Sequence, residues 1–131
     1  LYNSILMSSN HILLIEDDPA IGKSLLAGLE QHGFAPHLCS TGSSGVDYAC
    51  KHSPHLVLLD IRLPDGSGFD FCRQMRQMGL RQPVIVAMTA NAFREDQEAC
   101  AEAGMNDFIS KPIAYDRFVG TLRRAAGLHS R

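Results

Sequence analysis

The sequence has no block of lysine or arginine, no closely spaced cysteines and no apolar run long enough to span a membrane, and each absence removes a class of function. Twelve Lys and Arg stand against fourteen Asp and Glu, a formal net charge of -2. Nothing therefore supplies the basic surface that holds a polyanionic duplex, and direct nucleic-acid binding is not expected. Cys39, Cys50, Cys72 and Cys100 form no C-x-x-C pair, which leaves neither a zinc clip nor a redox motif and suits a reducing compartment. They read as small buried apolar residues. His11, His32, His37, His52, His55 and His129 show no H-x-x-x-H spacing and read as scattered surface or packing residues. No membrane contact is expected without an apolar stretch of about 20 residues. Residues 1–10 carry neither a basic leader nor a small-residue cleavage pattern, so a secretory signal is not expected, and they are read as a tail or linker. Leu1 is not an initiating residue; either Met7 begins the natural chain or the sequence is cut from a longer one.

What is present fits one domain. The chain has 131 residues, 45% hydrophobic and 20% charged, the balance of a globular protein able to bury a core. From His11 onward, short apolar runs alternate five times with helical patterns, the sign of βα units around a parallel sheet. The first run, Ile12-Leu13-Leu14-Ile15, is continuous rather than alternating, as a strand covered on both faces must be. Pro19 suits a first helical turn, Ile21, Leu25 and Leu29 recur at helical spacing, and Gly33 is a natural stop. A weak strand over Pro36 to Cys39 precedes a helix capped by Thr41 and ended by Pro54. Leu56 to Leu59 is the most apolar strand and runs into Asp60 before the turn-rich Pro64-Asp65-Gly66. A helix with Phe69 and Cys72, a strand from Pro83 to Met88 closed by Thr89, a helix over Ala92 to Ala103, a strand around Asp107 to Ile109 and a last helix ending near Gly127 complete the pattern. The domain is thus expected over 11–127, with 128–131 as a C-terminal tail.

Polar residues fall at the ends of these strands: Glu16 and Asp17, Asp60, Thr89, and Lys111. In a parallel sheet those ends share one edge, and open α/β sheets bind ligands in the crevice outside it. Glu16, Asp17 and Asp60 brought together repel, so a cation is wanted. Lys111 can supply one charge, and an all-oxygen ligand set favours a hard ion such as Mg2+ over softer metals. A carboxylate can itself be a nucleophile toward phosphorus, and Asp60 is the best placed. Mg2+ on Asp17 and Asp60, with the Lys111 ammonium and the Thr89 hydroxyl, could neutralise and position the transferred oxygens.

Four motifs in order, 12–19 (Ile-Leu-Leu-Ile-Glu-Asp-Asp-Pro), 58–66 (Leu-Leu-Asp-Ile-Arg-Leu-Pro-Asp-Gly), 88–90 (Met-Thr-Ala) and 107–112 (Asp-Phe-Ile-Ser-Lys-Pro), resemble those of receiver domains of two-component response regulators, across about Asn10 to Gly127. The resemblance implies a flavodoxin-like (βα)5 doubly wound parallel sheet in strand order 2-1-3-4-5. It implies a phosphoacceptor at Asp60 fed by a phosphohistidine on a histidine kinase or histidine phosphotransfer domain, in a signalling domain rather than an enzyme. Asp17 becomes the principal acidic Mg2+ ligand, the Arg62 backbone carbonyl another, and Glu16 an outer partner, longer than the aspartate often found there and suited to water-mediated contact. Arg62 and Asn91 take the positions that tune dephosphorylation. The Lys111-Pro112 bond is expected to be cis. Thr89 and Phe108 take the switch positions, in which Thr89 moves to the phosphoryl group, Phe108 rotates inward, and the surface of the fourth and fifth helices changes; a weak homodimer through those helices is one outcome. Residues 88–92 and 104–112 look most like receivers of hybrid sensor histidine kinases, which places the domain in the cytoplasm. Two other readings stand beside this one: a receiver-like interaction scaffold that is never phosphorylated, and a metal-dependent aspartyl phosphatase, whose D-x-D pattern after the first strand is absent here.

Overall fold

The protein was analysed as a computed structural model that describes residues 11–78, 82–90 and 94–130. Residues 1–10 and Asn91 lie outside the described residues. The elements run β1 (His11–Ile15), α1 (Pro19–Gln31), β2 (Ala35–Cys39), α2 (Gly42–His52), β3 (Leu56–Asp60), β4 (Arg62–Leu63), β5 (Gly66–Ser67), α3 (Gly68–Gln77), β6 (Val84–Thr89), α4 (Arg94–Ala103), β7 (Asp107–Ser110) and α5 (Tyr115–Ser130). Five strands form one sheet in the order β2-β1-β3-β6-β7, all parallel. Counting only the strands of this sheet, the order is 2-1-3-4-5. The small antiparallel hairpin of β4 and β5 stands apart and was not foreseen, because two residues per strand leave no periodicity to read.

The unbroken apolar runs follow from two-faced burial. Ile12 and Leu14, Leu56 and Leu58, and Val84, Val86 and Met88 face one way and pack with Leu25 and Leu29 of α1 and Phe118 and Leu122 of α5. Their odd-numbered neighbours, Leu13, Ile15, Val57, Leu59, Ile85 and Ala87, face the other way onto Ala49 of α2, Cys72 and Met75 of α3, and Cys100 and Ala103 of α4. Successive strand residues point to opposite faces, so strands sandwiched between two helical layers must be apolar at every position. Each Leu, Ile or Val fully buried this way contributes roughly 1.5–3 kcal/mol against exposure. The edge strand β2 is covered less, and its residues alternate in exposure, which is why its signal was weak.

Local sequence sets the helix ends. Pro19 occupies the first turn of α1, and the Asp18 carboxylate accepts hydrogen bonds from the amides of Ala20 at 2.9 Å and Ile21 at 3.3 Å. At the other end Gly33, at φ +84°, lets its own amide reach the Glu30 carbonyl and that of Phe34 the Leu29 carbonyl, the paired closure that a left-handed residue permits. Thr41 caps α2, accepting from the Ser44 amide at 3.1 Å. The last helix passes Gly127 and continues to Ser130, because a glycine inside a helix costs only about 1 kcal/mol relative to alanine and no breaker follows it. No described helix is long and apolar enough to cross a membrane.

Cys39, Cys72 and Cys100 are buried, as small apolar residues would be, but Cys50 is exposed; all four are free thiols. Position 50 falls on the outer side of α2, away from the stripe that buries Gly42, Gly45 and Ala49. The histidines are less scattered than their spacing suggests. His37 stacks on Tyr48 at 4.0 Å, His52 lies 4.3 Å from the same ring, and His11 Nε2 lies 2.7 Å from its hydroxyl. Three elements, β1, β2 and α2, bring them together.

Candidate functional site

The carboxyl ends of β1, β3, β6 and β7 lie side by side. The Glu16 amide still pairs with the Cys39 carbonyl at 3.0 Å, which carries β1 to the rim before Asp17 leaves it. Asp17 and Asp18 are both exposed, but Asp18 is engaged in capping α1, which leaves Asp17 as the uncommitted acid of the run, while Glu16 is almost wholly enclosed. Asp60 ends β3 and is also buried; the next residue, Ile61, is held to the Met88 carbonyl at 3.1 Å. Carboxylate oxygens of Glu16, Asp17 and Asp60 lie within 4.8 Å of one another.

Lys111 holds two of these acids. Its amide donates to the Thr89 carbonyl at 2.7 Å, fixing the end of β7 against that of β6. Its Nζ donates to Glu16 Oε1 at 2.7 Å and to Asp60 Oδ2 at 3.0 Å. The ammonium is pulled in opposite directions: burial alone would lower its pKa, but the hydrogen bonds and charges of Glu16 and Asp60 outweigh it and leave it raised. Lys111 therefore stays charged at neutral pH. Glu16 Oε2 accepts from the Asp18 amide at 3.2 Å, so the longer side chain reaches the lysine and folds back onto its own loop at once.

The second oxygen of Asp60, Oδ1, accepts from the Arg62 amide at 3.2 Å. A cavity of about 340 Å³ opens over this carboxylate, lined also by Arg62, Phe69, Thr89, Asp96 and Lys111. Thr89 is buried at the end of β6. Asp96, in the first turn of α4, was not singled out from the sequence, where one more acid at the start of a charged helix carries no signal. The Lys111-Pro112 bond is cis. Phe108 is half-buried, packed against the core on the α2–α4 side, with its amide on Asp107 Oδ1 at 2.8 Å.

Three carboxylates and one ammonium leave the site with an excess of negative charge. The donors are all oxygen, close together and open to solvent through Asp17, which fits a hard divalent ion that keeps part of its water shell. No described cysteine or histidine joins the cluster, so softer ions find no preferred ligand.

Comparison with known proteins gives the family and the fold. The family model described as response regulator receiver domain matches residues 12–123. The sensor histidine kinase RcsC of Escherichia coli K12 is 37% identical over 114 residues, covering 85% of this chain and 12% of that protein. The KDP operon transcriptional regulatory protein KdpE of the same organism is 36% identical over 120 residues, covering 92% of this chain and 52% of that one. This chain thus spans only part of either relative. Among solved structures, the receiver domain of sensor histidine kinase PA1611 from Pseudomonas aeruginosa PAO1, with a magnesium ion coordinated in its active site cleft, superposes with a TM-score of 0.83 at 34% identity, covering 90% of this chain and 98% of that one. The BeF3-activated N-terminal receiver domain of RstA from Klebsiella pneumoniae gives 0.82 at 31% identity, covering 89% and 98%.

Proposed function

The chain belongs to the response regulator receiver domain family, and from that premise we propose that Asp60 accepts a phosphoryl group from a phosphohistidine on a histidine kinase or histidine phosphotransfer domain. The observation that carries the proposal is the single Lys111 ammonium shared by Glu16 and Asp60 beneath an open cavity. That arrangement sets a cation against the Asp60 carboxylate and leaves it facing an incoming phosphorus. In the transfer, an Asp60 oxygen forms the new P–O bond as the donor's P–N bond breaks, and the imidazole leaves with the electron pair. Mg2+, held by Asp17 and Asp60 with the Arg62 carbonyl and with Glu16 outside them, would supply charge neutralisation for the phosphoryl oxygens.

The chain's own groups do the rest. Lys111 is already within hydrogen-bond reach of Asp60 and can turn to a phosphoryl oxygen, while the Arg62 amide steadies the carboxylate from the other side. Thr89 supplies a hydroxyl at the cavity wall, and its movement toward the phosphoryl group would free room for Phe108 to turn inward and change the α4–α5 surface. Arg62 and Asn91 would set how readily water removes the group. The domain turns over no external substrate in this reading and works in the cytoplasm, free or carried by a membrane-anchored sensor kinase; homodimerisation through α4 and α5 is one form the output takes.

Incubation with acetyl phosphate and Mg2+, followed by intact mass measurement, tests the acceptor. A single phosphoryl adduct in the wild type that is absent in Asp60→Asn is expected. No adduct, or the same adduct in the variant, overturns the assignment and leaves a scaffold; release of phosphate from an external phosphoester would point to a phosphatase.

A further inference from the structure

The geometry points to Asp65 as a positioning residue for the phosphoacceptor: its carboxylate ties the tip of the β4–β5 hairpin to the N-terminus of α2 and so holds the Arg62 amide on Asp60. This rests on the reading of Asp60 as the acceptor. Asp65 sits in the two-residue turn Pro64-Asp65, where an aspartate ordinarily bonds its own backbone. Here Oδ1 also accepts from the Gly42 amide at 2.8 Å and Oδ2 from the Ser43 amide at 2.9 Å, residues more than twenty positions away. These are charge-assisted bonds to two of the donors that a helix start leaves without intrahelical partners. Thr41 already caps the same helix through the Ser44 amide. Helix α2 therefore has one cap from its own sequence and a second from the loop that follows the phosphoacceptor.

The second cap matters because of what the hairpin holds. Its register is only Arg62 opposite Ser67 and Leu63 opposite Gly66, far too little to be stable unaided. Its base is fixed by Ile61 on the Met88 carbonyl and by the Gly68 amide on the Ile61 carbonyl at 2.7 Å; Asp65 fixes its tip. Between base and tip lies Arg62, whose amide reaches Asp60 Oδ1 at 3.2 Å, at the long end of the range for such a bond. A small drift of the hairpin breaks it. The two helix amides also hold the Asp65 carboxyl below its ordinary pKa, so the tie persists across neutral pH.

The test compares Asp65→Ala and Asp65→Asn with Thr41→Ala, which removes the local cap of α2 without touching the hairpin. Two readings are taken on each folded protein: the Arg62 amide proton shift in 15N-labelled, Mg2+-free samples, and the initial rate of phosphoryl adduct formation from acetyl phosphate with Mg2+. The Arg62 proton is expected to move upfield in Asp65→Ala, less in Asp65→Asn, which keeps one acceptor, and not in Thr41→Ala. The rate is expected to fall roughly tenfold in Asp65→Ala, within the range of up to about 100-fold attached to misplacement by 1 Å, and to stay near wild type in Thr41→Ala. Equal Arg62 shifts and equal rates in Asp65→Ala and Thr41→Ala overturn the proposal. Should Asp65→Ala fail to fold, Asp65→Asn carries the same comparison. If the wild type takes up no phosphoryl group, the acceptor reading fails by itself, and the Arg62 shifts still decide whether Asp65 holds that amide.

Discussion

Replacing Gly68 with alanine should destabilise the protein although it puts a better helix former into a helix. Gly68 is the first residue of α3, and an ideal Cβ there would lie 2.4 Å from the Asp60 carbonyl oxygen and 2.8 Å from Ile61 Cα. Real Cβ contacts stop near 3.0 Å, so the junction must open by 0.6 Å. The atoms in the way are backbone, and they belong to the end of β3 and the residue after it, which no rotamer change can move. Alanine gains at most about 1 kcal/mol over glycine inside a helix, and less at its first position. Overpacking of this kind typically costs about 1–3 kcal/mol. The short Gly68 to Ile61 hydrogen bond is strained by the same displacement, so a net loss of about 1–2 kcal/mol is expected. Gly120→Ala is the matched control, since its nearest outside atom is Arg124 Nη1 at 3.7 Å. It should gain about 0.4–1 kcal/mol through the less flexible unfolded chain. With no tryptophan in the sequence, urea unfolding followed by far-ultraviolet circular dichroism gives both values. Phosphoryl adduct formation should slow in Gly68→Ala alone, because the shift is centred on Asp60. A Gly68→Ala protein as stable as wild type, or the reverse ranking of the two variants, would refute the reasoning.

Other expectations follow from separate contacts. Arg76 donates to the carbonyls of Gly104 at 2.8 Å and Pro83 at 2.7 Å and to Asn106 Oδ1 at 2.7 Å, tying α3 to two loops away from the carboxyl rim; Arg76→Met should cost about 2–3 kcal/mol in urea unfolding with adduct formation unchanged in the folded fraction. Lys111→Met removes the site's one described ammonium, so Mg2+ should raise the melting temperature more in this variant than in wild type; an equal or smaller rise would contradict the charge balance inferred here. His11 is held below its ordinary 6.5 by burial first, then by His52 and His37. The unfolded chain therefore binds more protons in that window, and stability is full above pH 6.5 and lost as pH falls through the folded value. Chemical unfolding at stepped pH should show this loss reduced in His11→Gln; an unchanged profile would remove His11 as its source.

Order along the chain and the local chemistry of each residue were enough to determine the layers of the fold. Uninterrupted short runs such as Leu56 to Leu59, bounded by turn residues and alternating with helical patterns, read as strands covered on both faces, and Pro19, Gly33 and Thr41 mark helix ends by properties that need no partner. The strand-end placement of Glu16, Asp17, Asp60, Thr89 and Lys111 was legible for the same reason, since parallel strands share one rim whatever fills the core. Distance and direction were not. Whether Lys111 reaches Glu16 as well as Asp60, whether Asp96 lines the cavity, which histidines meet Tyr48, and that Asp65 bonds amides more than twenty residues back were decided only when the sheet and helices packed. Those contacts join side chains far apart in the chain through angles and ångströms. A linear pattern carries periodicity and local propensity, but it holds no record of the turn that aims one carboxylate at one helix end.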